Sequence, residues 1–296
     1  MALLCCVVTV LEVIQRSTEF LARKGIDSPR LQIELLLAHA LGVPRLKLYL
    51  DFERLLTEQE LQVMRSLVKR RAAREPLQHI IGSTSFCGLE IKVTADVLVP
   101  RPETESLAER GWQTLQARAK EKDGPVTALD LGTGSGCLAI ALAVHVPEAQ
   151  LYAVDISTAA LAVALENASR HQVADRIRFI EADGLRGVPM DLRLDLLVSN
   201  PPYIPSAEIE RLAPEVREHD PRVALDGGPD GLAFYRRLAV EAPQLMNPKW
   251  RLMCEFGDGQ ADAVGQIFRE SGWDVVTVER DLSGCARILV ACRTES

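Results

Sequence analysis

An α/β fold is predicted for residues 126–292, and three observations carry the prediction. Apolar runs of strand length alternate with helical segments, a glycine-rich turn joins the first such run to the first such helix, and residues 1–75 show helical periodicity without a strand. The expected architecture is an open, mainly parallel sheet with an antiparallel edge hairpin, preceded by a small helical bundle and a linking β-hairpin. At 296 residues the chain has material for two domains. Their boundaries read as 1–75 for the helical domain, 76–100 for the linking hairpin and 101–296 for the α/β domain.

The elements follow in order. Ser28-Pro29 reads as an N-cap with proline at the first helical position, Gly42 and Pro44 end that helix, and Thr57-x-x-Glu60 is a capping box opening the next. Leu31, Leu35, Leu36 and Leu41, with His39 among them, mark a buried face. From Gln78 to Pro100 the character turns to β, with Thr84-Ser85-Phe86-Cys87, a turn at Gly88, and Leu89-Glu90-Ile91-Lys92-Val93. A helix begins near Glu103 and ends in the charged stretch from Lys120 to Pro125. Strands are then expected at 126–130, 150–155, 176–181, 195–199 and 251–256, separated by helices at 136–146, 157–172, 229–246 and 258–272. Two tail strands, 273–280 and 286–292, are joined by a turn at Ser283-Gly284.

Composition narrows the functional classes. Hydrophobic residues at 47% and charged residues at 25% are ordinary for a soluble globular chain. The net charge of -7 opposes a nucleic-acid grip built on a broad basic face. One local cluster, Lys69-Arg70-Arg71 with Arg74, reads better as a solvated helix face than as a phosphate site. The seven cysteines (Cys5, Cys6, Cys87, Cys137, Cys254, Cys285 and Cys292) include no C-x-x-C pair and mostly sit in apolar runs, as reduced residues of a cytoplasmic protein do. Five scattered histidines lack metal-ligand spacing, so no zinc is expected. No signal peptide or membrane span is expected either.

Asp130-Leu131-Gly132-Thr133-Gly134-Ser135-Gly136 lies between a β-run and a helix, where glycines let the backbone turn sharply and approach a ligand. Cys137 stands where a dinucleotide fingerprint has its third glycine, which tilts the cofactor from a nicotinamide toward S-adenosyl-L-methionine. Asp155, at the end of the next strand, suits both ribose hydroxyls, and Asp183, at the end of the third strand, suits the adenine amine. The bland alternatives are a tight β-to-α connection and an Asp155 that only caps the helix from Ser157. The spacing of the whole set favours the cofactor.

Asn200-Pro201-Pro202-Tyr203 closes the apolar run 194–199. Its prolines forbid helix and continued sheet, leaving the backbone turned with carbonyls unpaired. The Asn200 side-chain oxygen and the Pro201 carbonyl can accept both N–H bonds of a planar amine or amide. The nitrogen lone pair is then left facing a methyl donor, with Tyr203 able to pack on the amide plane. Catalysis of that kind is positioning and electrostatics rather than general-base chemistry.

These residues, together with Leu98-Val99-Pro100-Arg101-Pro102-Glu103-Thr104-Glu105 and Ala224-Leu225-Asp226-Gly227-Gly228-Pro229-Asp230-Gly231-Leu232, resemble the HemK/PrmC-type release factor glutamine methyltransferases over almost the whole chain. The resemblance implies a Rossmann-like class I methyltransferase sheet. It implies S-adenosyl-L-methionine as donor, S-adenosyl-L-homocysteine as product, and no metal. The substrate implied is the Gly-Gly-Gln glutamine of peptide chain release factors. Cofactor positions fall on Asp130, Gly132, Thr133, Gly134, Ser135, Gly136, Asp155, Asp183, Gly184 and Asn200. Asn200, Pro201, Pro202 and Tyr203 would hold the glutamine, and the helical domain would help recognise the partner. The chain departs from the family pattern at Gln32 and Ile33 and in Gly284-Cys285-Ala286-Arg287.

Three rival readings remain at this point: glutamine methylation of a ribosomal protein, adenine-N6 DNA methylation, and a non-catalytic module on a cofactor fold. Adenine would need flipping into the pocket, and no basic target-recognition domain is visible. A non-catalytic module predicts loss of the glycine turn, Asp155 or Asn200, and all are intact. A monomer without direct nucleic-acid or membrane contact is expected.

Overall fold

The computed structural model describes residues 8–281 and 284–293, which form two compact units. Cys5, Cys6 and the expected turn residue Ser283 lie outside the described residues. The first unit runs to Gly82 and also takes in Pro214–His219. Its helices are α1 (Val10–Arg23), α2 (Pro29–Leu41), α3 (Arg45–Leu48), α4 (Glu58–Ala72) and α5 (Leu77–Ile81). Thr9 and Thr57 both cap by a reciprocal box, each accepting from the third backbone N–H while Glu12 or Glu60 accepts in return.

Several local expectations change in this unit. Ser28 is left-handed (φ 46°) and its hydroxyl caps nothing, although Pro29 does open α2. The face of α2 that is buried is Ile33, Leu36 and Leu37, while Leu31 and His39 are exposed. Leu36 is buried as expected, but leucine spacing alone missed the rest of the face, because Arg30, Gln32, Glu34 and His39 are spread around α2 and leave it no marked apolar side, so its neighbours choose the face. Gln78 to Ile81 form a helical turn rather than strand, begun at Pro76 and closed by left-handed Gly82. The arginines of the basic cluster are spent internally: Arg70 pairs with Glu75, while Arg71 and Arg74 both hold Glu215 (2.8 and 3.1 Å). Arg71 Nε also donates to Gln32 Oε1.

The second unit opens with the hairpin β1 (Ser83–Phe86) and β2 (Leu89–Lys92). Cys87 and Gly88 both have positive φ (50° and 75°), the backbone of a two-residue type I′ turn. The Cys87 N–H donates to Glu105 Oε1 in α6 (Thr104–Glu121), which holds that strained cysteine in place.

The main sheet contains β3 (Thr127–Leu131), β4 (Gln150–Asp155), β5 (Ile177–Glu181), β6 (Leu194–Ser199), β7 (Met246–Glu255), β8 (Asp274–Arg280) and β9 (Ala286–Cys292). Their spatial order is β5-β4-β3-β6-β7-β9-β8. The first five are parallel, and β9 pairs antiparallel with both β7 and β8. Neighbouring residues go to opposite faces: Ala128, Leu196 and Met253 to one core, Leu129, Leu197 and Leu252 to the other. Both faces are covered, so the strands read as continuous apolar runs. The first core takes Leu107 and Leu115 of α6 and most of α7 (Cys137–His145), and the second takes Tyr235, Leu238, Val264 and Phe268.

The helix expected over 229–246 spans only Ala233–Glu241, because Pro243 ends it in a 3-10 turn. β7 accordingly starts at Met246 rather than at residue 251. The described cysteines are all free thiols, with Cys137 and Cys254 buried.

Candidate active site

The chain runs outward from β3 to β5, then returns to lay β6 beside β3, and this reversal opens a crevice at the carboxyl ends of the parallel strands. Ser199 Oγ donates to the Leu131 carbonyl (2.7 Å) and ties the two strand ends together. The glycine turn is pinned to β4 by two backbone bonds, from Gly132 and Thr133 to the Val154 carbonyl. Gly136 needs φ +82° and has Ala164 Cβ 3.0 Å from where a side chain would start, so the turn admits only glycine there. Beneath it, Asp130 is fully buried. Its Oδ2 accepts from Thr133 Oγ1 (2.6 Å) and from the Ala139 N–H (3.2 Å). Burial pushes the Asp130 carboxyl up to about 7, against the lowering effect of those two donors.

A cavity of about 260 Å³ lies outside these ends. Its walls include Gly132, Gly134, Asp155, Asp183, Gly184, Asn200 and Pro202. Asp130, Thr133, Ser135, Gly136, Pro201 and Tyr203 do not line it; the first four support the turn from behind. Asp155 is oriented by two N–H donors, Gly134 to Oδ2 (2.8 Å) and Ser157 to Oδ1 (2.9 Å). Both oxygens keep further acceptor capacity, which fits a vicinal diol. Asp183 is held by Arg237, whose hydrogen bond lowers its pKa and which also reaches the Asp183 backbone carbonyl. Four acids, Asp96, Asp155, Asp183 and Asp226, face the cavity with Arg237 as the counter-charge in its wall, so it favours a cation.

Asn200 follows β6 directly. Its Nδ2 donates to Thr104 Oγ1 (3.0 Å), and Thr104 Oγ1 donates to Glu255 Oε2 (2.7 Å). Among the described residues no hydrogen bond occupies Asn200 Oδ1 or the Pro201 carbonyl. The rest of the turn is clamped by the Ala224 to Leu232 segment. Ile204 bridges to Asp226, with its N–H on Leu225 O and its carbonyl accepting from Gly227 N–H. Ser206 Oγ and the Gly228 N–H both donate to Asp226 Oδ1 (2.6 and 3.0 Å). Gln260 Nε2 holds the Tyr203 carbonyl (2.9 Å), and burial pushes the Tyr203 phenol up. Arg101 Nη2 donates to buried Asp220 (2.6 Å), which anchors the Pro221 to Ala224 wall.

The family models described as PrmC N-terminal domain and Methyltransferase small domain match residues 12–82 and 112–219. The chain is 44% identical to the release factor glutamine methyltransferase of Geobacter sulfurreducens, over 95% of each chain. It is 45% identical to that of Chlorobaculum tepidum, over 92% of this chain and 93% of the relative. The chain belongs to the release factor glutamine methyltransferases. Solved structures with the same fold include the hMettl16 catalytic domain in complex with MAT2A 3'UTR hairpin 1 (TM-score 0.54, 13% identity, 82% of this chain and 84% of that one). Another is a methyltransferase from Pyrococcus furiosus (TM-score 0.50, 18% identity, 75% and 98%).

The sequence pointed to Asn200 and Asp155 but not to three residues that contact them or other parts of the site. Arg237 over Asp183 had no signal, being one arginine on a charged helix. Glu255 had one: an acid directly after the apolar run Leu252-Met253-Cys254. Thr104 stood in a quoted motif without a role.

Proposed function

We propose that the chain transfers a methyl group from S-adenosyl-L-methionine to the side-chain amide nitrogen of the glutamine in the Gly-Gly-Gln motif of peptide chain release factors. The observation that carries this reading is a pair of open acceptors, Asn200 Oδ1 and Pro201 O, at the strand end beside an acid-lined cavity. Asp155 would take the ribose hydroxyls, Gly132 and Gly134 would let the backbone approach the donor, and Asp183-Gly184 would meet the adenine. When bound, the donor supplies an electrophilic methyl group on a sulfonium.

The chain's own residues supply position. A glutamine amide nitrogen is a poor nucleophile because its lone pair is delocalised into the carbonyl. Asn200 Oδ1 and Pro201 O accept its two N–H bonds, fix its plane and leave the lone pair free on the open side. Both oxygens also stabilise the positive charge that builds on nitrogen. The clamped turn makes this a rigid grip that needs little rearrangement at the moment of reaction. Pro202, whose ring cannot donate, keeps competing N–H groups away from those acceptors.

Adenine presents a similar pair of N–H donors, but Arg70, Arg71 and Arg74 are engaged by Glu75 and Glu215 and the net charge is -7. A phosphate-binding face of that kind is therefore disfavoured. The test is transfer of labelled methyl to a release factor, with the Gln-to-Ala substrate unlabelled. Labelling of duplex DNA instead would refute the assignment.

A further inference from the structure

We propose that Thr104 and Glu255 are positioning residues that set the Asn200 side-chain amide with its oxygen, not its nitrogen, toward the substrate. The proposal rests on the reading above, that Asn200 Oδ1 grips an amide N–H. Asparagine by itself gives no such guarantee. Its amide is nearly symmetric in shape, and a half-turn about the last torsion would present NH2 where an acceptor is needed. Two donors would then face each other, and the substrate would be repelled.

The two buried partners break that symmetry. Thr104 opens α6, Glu255 ends β7, and both are about 2% exposed. An ionised carboxylate only accepts, so the single Thr104 hydroxyl proton goes to Glu255 Oε2 (2.7 Å). Thr104 Oγ1 is thereby left as an acceptor toward Asn200, and only Nδ2 can satisfy it (3.0 Å). The planar amide then has one arrangement, with Oδ1 on the other side. Each link fixes the polarity of the next, and the polarity originates at a buried negative charge.

Protonation of Glu255 reverses the logic. A carboxyl O–H can donate to Thr104 Oγ1, which frees the threonine proton for Asn200 Oδ1 and admits the turned amide. Several charged or titratable groups surround this carboxyl. Glu103 comes from the start of α6, Tyr203 from the Asn-Pro-Pro-Tyr turn, Cys254 from β7 itself, and Asp281 and Arg287 from the β8–β9 hairpin. Tyr235 of helix Ala233–Glu241 donates its hydroxyl to the Glu255 carbonyl (2.8 Å). Burial, opposed by the Thr104 hydrogen bond and Arg287, brings the Glu255 carboxyl up to about 7. The active, ionised form is therefore lost as pH falls through that value.

The test compares kcat at saturating donor and release factor with dissociation constants for S-adenosyl-L-homocysteine, using protein whose folding is checked by thermal melting. Thr104→Val, which keeps the shape and removes the hydroxyl, should lower kcat by about ten- to a hundredfold, the range for loss of a buried charge-assisted hydrogen bond. Cofactor affinity should change less than about twofold, and Thr104→Ser should restore kcat. Glu255→Gln should remove the acidic limb of the kcat profile near pH 7. Wild-type protein that fails to methylate release factor would refute the parent reading. Active wild type with undiminished kcat in folded Thr104→Val, or an acidic limb persisting in Glu255→Gln, would refute the relay alone.

Discussion

Gly227 sits where the Ala224 to Leu232 segment crosses the Asn-Pro-Pro-Tyr turn, and replacing it with alanine tests whether that crossing sets the catalytic geometry. A Cβ built there meets Gly231 Cα at 2.8 Å, Gly231 O at 2.9 Å and Pro202 O at 2.9 Å. Ordinary contact begins near 3.4 Å, so about half an ångström must be found. All three neighbours are backbone and cannot rotate away. Overpacking of this kind costs about 1–3 kcal/mol, which for a unit of this size lowers the melting temperature by about 3–10 °C. A misplacement of about 1 Å is worth roughly a hundredfold in rate, so half that displacement at Pro202 should lower kcat by about tenfold. Gly42→Ala is the control: it carries a backbone cost of its own, a non-glycine residue at an unfavourable φ (63°), but nothing lies within 4 Å of its Cβ. It should lose about 1 kcal/mol and keep kcat. The assay is labelled-methyl transfer at saturating substrates alongside a thermal melt. A Gly227→Ala enzyme with wild-type kcat would refute the claim that this crossing holds the turn.

Further variants separate the parts of the site. Asn200→Ala should lower kcat by about a hundred- to a thousandfold, the effect of removing one oriented polar group at a developing charge, while S-adenosyl-L-homocysteine affinity by calorimetry stays nearly unchanged. Asp155→Ala should do the reverse, weakening that affinity by at least about tenfold through loss of two diol hydrogen bonds. The Asp130 carboxyl has a folded pKa of about 7, above its unfolded value, so it binds its proton more tightly in the native state. Its contribution to stability is present at low pH and is lost as pH rises through about 7. Asp130→Asn should therefore flatten the dependence of melting temperature on pH between about 4 and 7, and an unchanged slope would rule that contribution out.

The sheet was legible because residues such as Ala128-Leu129 and Leu196-Leu197 are buried on both faces, leaving apolar runs that need no partner to be recognised. Asn200 was legible because two prolines after such a run leave the backbone no regular structure to adopt. Most of the α2 face was not, since a helix whose polar residues (Arg30, Gln32, Glu34 and His39) are spread around it carries no clear phase of its own. Local turn chemistry also outran the pattern at 78–81, where Gly82 in a left-handed conformation closes a helical turn inside the stretch expected to be β in character. The Asn200–Thr104–Glu255 chain was beyond sequence reasoning for a different reason. Its members lie on three elements far apart in the chain, and only the order of β6 and β7 beside α6 brings them together. The pairing of Glu215 with Arg71 and Arg74 is likewise non-local, and it turns an apparent basic face into internal ion pairs.

The central claim is that Asn200 and Pro201 grip a protein glutamine amide beside a methyl donor. Purified protein, labelled S-adenosyl-L-methionine and a release factor carrying Gly-Gly-Gln should give one labelled methyl group on the glutamine side-chain nitrogen, located by peptide mass spectrometry and absent from the Gln-to-Ala factor. Label that appears on another residue, or on duplex DNA while the release factor stays unlabelled, would contradict the account.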